Sequence, residues 1–70
     1  MTHNKVYFIV SRSGIGATQY VTPALTYTEF PILFGKMFTD YREAVAWRKK
    51  YGTVGRIMSD ETLKEKGLFR

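Results

Sequence analysis

Between Asp40 and Gly52 the chain carries a complete set of local signals that open, sustain and close an α-helix. Asp40 is a residue type whose short carboxylate accepts from the free N–H groups of a first turn, and Glu43 stands three residues on to complete a capping box. Gly52 supplies the residue that turns left-handed at the far end. The 38–52 stretch therefore predicts the main helix, and everything before it reads as strand. On a helical wheel Tyr41, Ala44, Val45, Trp47, Arg48 and Tyr51 share one arc, while Arg42, Glu43, Ala46, Lys49 and Lys50 occupy the other. The first arc is expected to pack on a sheet. Trp47 is expected to fill the largest part of the core, and Arg48 to lay its stem along apolar surface and carry its charge out to water.

The strands follow from alternation. From Lys5 to Arg12, Val6, Phe8 and Val10 alternate with Tyr7 and Ile9, so both faces are apolar. That is the pattern of a central strand, or of an edge strand whose second face a partner covers. Ser11 to Ala17 is turn composition, leading into a second, antiparallel strand over Thr18–Thr22 that Pro23 ends. Ala24 to Pro31 reads as a strand extension or an ordered loop. Ile32-Leu33-Phe34 and Lys36-Met37-Phe38 flank Gly35, which predicts a third strand with a bulge at the glycine. After the helix, Thr53 to Met58 is a fourth strand. Ser59 then opens a shorter helix, with Asp60 and Glu61 at its positive end, Lys64 and Lys66 at its negative end, and Met58 and Leu63 spaced as a hydrophobic staple. Met1–Asn4 is expected to fray, and Leu68 and Phe69 either fold back on the core or stay exposed. The sum is one small α+β domain over residues 1–70. It has a three- to four-stranded, mainly antiparallel sheet packed on one main helix, with a short C-terminal helix, in the order β-β-β-α-β-α.

Catalysis finds few candidates. A chain of 70 residues buries a small share of its surface and leaves little room for a deep pocket. Asp40, Glu43, Asp60 and Glu61 serve helix starts and Glu65 a helix face, which leaves Glu29 without a carboxylate partner for acid–base work. Ser11, Ser13 and Ser59 lack a base, since the sole histidine, His3, lies in the frayed start. No cysteine is present and no His or carboxylate grouping has metal-ligand spacing. Gly14-Ile15-Gly16 is no dinucleotide fingerprint, because Gln19 stands where a third glycine belongs and a strand follows where a helix is needed. A non-enzymatic protein is expected, without cofactor or metal. The apolar block at Val6–Val10 is too short for a signal peptide or a membrane span, which predicts a soluble cytoplasmic protein with no membrane partner.

Binding is better served. Eleven Lys and Arg against six Asp and Glu leave a formal charge of +5, which favours encounter with polyanions or acidic protein faces. Arg42, Lys49 and Lys50 decorate the outer helix face, Lys36 and Arg56 flank the helix in sequence, and Arg12 sits at the first loop. These are the expected phosphate contacts of a nucleic-acid site. Tyr7 and Tyr20, with Tyr27, stack bases if one sheet face stays open. The alternative is recognition of a protein through a sheet edge or a residual aromatic surface. A homodimer that hides the two-sided apolar strand is a third arrangement.

Two resemblances bear on the partner. The run Phe38-Thr39-Asp40-Tyr41-Arg42-Glu43-Ala44-Val45-Ala46-Trp47, preceded by short strands with Tyr20 and Lys36, resembles the arm-type DNA-binding domain of phage and transposon integrases. That resemblance implies a three-stranded sheet on one helix, with the open sheet face reading a major groove. The whole chain, with its Lys5–Val10 strand, Tyr20-Val21-Thr22 and the 38–52 helix unit, is similar to small accessory proteins of phages and prophages. This likeness implies a non-catalytic protein of the host cytoplasm that binds nucleic acid, or binds and modulates a host or phage protein.

Overall fold

In the computed structural model, which describes residues 5–12 and 16–67, the strand with two apolar faces lies inside the sheet. This strand, β1 (Tyr7–Arg12), pairs antiparallel with β2 (Thr18–Val21) on one side and with β4 (Arg56–Ser59) on the other. A two-residue strand, β3 (Tyr27–Thr28), pairs antiparallel with β2 and gives the order β3-β2-β1-β4. Three helices complete the described residues: α1 (Pro31–Phe34), α2 (Tyr41–Tyr51) and α3 (Asp60–Glu65). The α+β class with a four-stranded antiparallel sheet agrees with the sequence reading. The expected fraying of Met1–Asn4, the turn residues Ser13–Ile15 and the placement of Leu68 and Phe69 lie outside the described residues.

The main helix starts and stops where its caps dictate. The Asp40 carboxylate accepts from the Arg42 N–H at 3.0 Å, and Gly52 takes φ 62°, a left-handed conformation that costs a side-chain-bearing residue energy. At α3 the Ser59 hydroxyl accepts from the Thr62 N–H at 3.3 Å. Cross-strand partners point to the same face and neighbours along a strand to opposite faces. Ile9, Val21, Phe38 and Ala44 therefore form one buried cluster with Tyr7, Trp47 and Ile57 at its margin. Phe8, Val10, Tyr20 and Leu63 form a second cluster on the other side, joined by Val6 and Met58. Leu63 and Met58 thus share a cluster, as the staple spacing predicts.

Three expectations need correction. The sheet is covered on both faces, α2 on one and α3 on the other, because the alternating apolar residues of β1 leave neither face fit for water. The third strand is Tyr27–Thr28, and Ile32–Phe34 belongs to α1, whose first residue Pro31 has its φ preset for a helix and lacks the N–H that a strand needs. From the former strand Phe38 forms a bridge, donating to and accepting from Tyr7 at 3.0 and 2.7 Å, and the Lys36 N–H donates to the Val21 carbonyl at 2.8 Å. Trp47 is half-buried at the edge of its cluster, edge-on to Phe38, while Ala44, with no exposed surface, is the buried residue of α2 within that cluster.

Candidate functional site: a cationic recess at the open end of the sheet

The two covering helices differ in reach. Eleven residues of α2 span about 16 Å, and six residues of α3 span about 9 Å at the rise of an α-helix. The six residues of β1 extend about 20 Å. α3 begins beside Val6, whose carbonyl accepts from the Asp60 N–H at 2.9 Å. Its Leu63 covers Phe8 and Tyr20. Beyond it, no helix among the described residues covers the far end of that face.

The residues at this open end follow from register. Val10 pairs with Arg56 and Arg12 pairs with Thr18, so the alternation that puts Phe8 and Val10 on the α3 side puts Arg12, Thr18 and Arg56 there as well. Lys66, just past the last residue of α3, closes the third side. Together with Val54, Gly55 and Met58 they line a recess of about 580 Å³, within the range of about 300–1,000 Å³ common for ligand pockets. Its floor is apolar and its rim holds Arg12, Arg56 and Lys66, with no carboxylate among the lining residues. Three cationic residues on one recess, with no carboxylate among its described lining residues, favour a positive potential there.

The wall at 54–55 is held in place by α2. Gly55 has φ 146°, and a Cβ there would lie 2.7 Å from the Val10 carbonyl oxygen, so only glycine lets this turn press against β1. The Arg48 guanidinium donates to the Gly55 carbonyl at 3.0 Å. Arg48 thus ties the helix to the recess wall, where the sequence predicts a charge carried out to water.

The residues singled out in the sequence are divided by the fold. Arg56 lies in the recess, and Arg12 beside it. Lys36 and Lys50 line a smaller hollow of about 350 Å³ on the α2 side, together with Glu43 and Trp47. Their ammonium groups stand 5.3 Å from the ring centres of Phe38 and Tyr51 respectively. Arg42 and Lys49 are exposed on the outer face of α2 and line neither hollow. Tyr7 is half-buried and meets the Tyr41 ring edge-on at 5.7 Å. Tyr20 is 1% exposed and edge-on to Phe8, so its ring is core and offers no stacking surface. The basic residues therefore belong to two sides of the sheet and form no single patch. Lys66 and Thr18 were missed because their sequence neighbourhoods suggest only a helix end and a strand.

Among the described residues, no group of three His, Asp or Glu side chains could hold a metal ion, and no helix is long and apolar enough to cross a membrane. Comparison with protein-family models, curated proteins and solved structures gives no significant match.

Proposed function

We propose that this chain is a non-enzymatic binding module of phage or prophage type that takes the phosphate backbone of a nucleic acid in the recess of Arg12, Arg56 and Lys66. The observation that carries the proposal is that three cationic residues line one concavity with no acidic residue among its described lining. Arginine forks suit phosphate oxygens, and the Thr18 hydroxyl on the same face suits a further hydrogen bond. Among the described residues no aromatic side chain lines the recess, and Tyr20 is buried. Recognition is accordingly of the backbone and of shape, and base stacking on the tyrosines plays no part in it.

Titration of mixed-sequence DNA and RNA oligonucleotides, single-stranded and duplex, tests this. Binding is expected at low salt, with log affinity falling against log salt at a slope of about two to three for three neutralised phosphates. Absence of binding to every oligonucleotide at low salt refutes the proposal. Specific capture of a protein at an affinity indifferent to salt would favour a modulator of a host or phage protein.

A further inference from the structure

The recess leaves unexplained the other unusual surface of the molecule. Leu25, Tyr27, Phe30, Ile32, Leu33, Phe34 and Met37 are each at least 42% exposed, and all belong to one stretch of thirteen residues running from the turn before β3 to the end of the α1 loop. In α1 itself only Pro31 is buried, and Leu33 reaches 74% exposure, so this helix covers little of its own core. The stretch is nevertheless well anchored. The Lys36 N–H donates to the Val21 carbonyl at 2.8 Å, and Thr22 and Thr26 bond to each other through backbone and side chain. An ordered apolar projection of this kind on a small protein marks a contact surface.

We propose that this surface binds a second copy of the same chain, with α1 and its flanking turns packing about a two-fold axis. Its size supports the assignment. At about 200 Å² for a large side chain, the seven residues together expose roughly 700 Å², and the share of it that faces one way suits a contact smaller than the about 800 Å² per partner of a standard interface. Charge points the same way. The whole chain has a formal charge of +5, but residues 23–37 hold only Glu29 and Lys36, so two copies meet here without opposing like charges. A lipid-binding surface would intersperse several cations among its apolar residues, and this stretch has one. The two-residue edge strand β3 lies within the same stretch and keeps the contact a matter of side-chain packing. None of the residues lining the cationic recess belongs to it.

Sedimentation velocity of the full chain across the micromolar range, with the Leu33→Glu and Phe34→Glu variants alongside, tests the proposal. The unmodified chain is expected to dimerise, with little dependence on salt. Each variant should weaken dimerisation by about 30-fold or more, the effect of one central apolar contact, with an unchanged circular dichroism spectrum. Arg12→Glu should leave the equilibrium as it is. A chain that stays monomeric throughout overturns the proposal, as does a dimer that both variants leave intact. If the monomer instead co-sediments with phosphatidylserine vesicles and Leu33→Glu abolishes this, the surface belongs to lipid and the proposal also fails.

Discussion

The two faces of the sheet are equally apolar along β1 but unequally covered. On one face α2 runs nearly the length of the strands and seats Ala44 against Ile9 and Val21. On the other, α3 stops after six residues, with Leu63 as its one buried apolar side chain. Where α3 ends, the residues of that face change from Phe8 and Val10 to Arg12, Thr18 and Arg56. The change in residue type coincides with the loss of cover, as it must if the cations are to keep their hydration or a ligand in its place. A short helix on one face thus leaves room for a binding site that a helix as long as α2 would occupy.

The largest expected effect separates the faces directly. Leu63→Ala removes the one buried apolar side chain of α3 and should cost about 2–5 kcal/mol in urea denaturation. Because α3 also carries Lys66 to the recess, oligonucleotide affinity should weaken in the fraction that remains folded. Trp47→Ala also lowers stability, but on the α2 face it should leave the affinity of the folded protein unchanged. If both variants weakened binding alike, the faces would not be functionally distinct.

A smaller effect is expected at the wall of the recess. Gly55→Ala places a methyl 2.7 Å from the Val10 oxygen and 3.0 Å from Ile9 Cγ2, at a φ that L-residues avoid. The turn must then move away from β1, at about 1–3 kcal/mol. Denaturation should show the loss, and the distorted recess should bind more weakly than destabilisation alone explains. An alanine variant with unchanged stability would show that the turn does not press on β1.

How much of this was legible depended on how local each signal is. The 40–52 helix was read correctly because its caps, Asp40 and Gly52, act within a turn of themselves. The two-sided apolarity of β1 pointed to a central strand, and Met58 and Leu63 to the start of α3. The Ile32–Phe34 run was misread because β-branched and aromatic residues suit a strand, whereas Pro31 at the first helical position and its burial decide for a short helix. The open face on which Tyr20 was expected to stack bases depended on how far α3 reaches, and Leu63 covers it. The recess was least legible of all. It requires Val10 to face Arg56, 46 positions away, in one particular register, and a one-residue slip would turn Arg56 to the other face. Arg12 and Arg56 are evident in the sequence as cations, but nothing local to either places them together.

The most direct measurement compares two double variants of equal charge change, Arg12→Glu with Arg56→Glu and Arg42→Glu with Lys49→Glu, against one fluorescent single-stranded oligonucleotide at low salt. All four positions are exposed, so both proteins should keep their stability within about 0.5 kcal/mol. Since both lose the same net charge, any difference reports position and not the general field of the protein. The recess pair should lose at least about tenfold in affinity, and the helix pair should stay within about threefold of the unmodified chain. Equal losses, or a greater loss in the helix pair, would contradict the assignment of the recess.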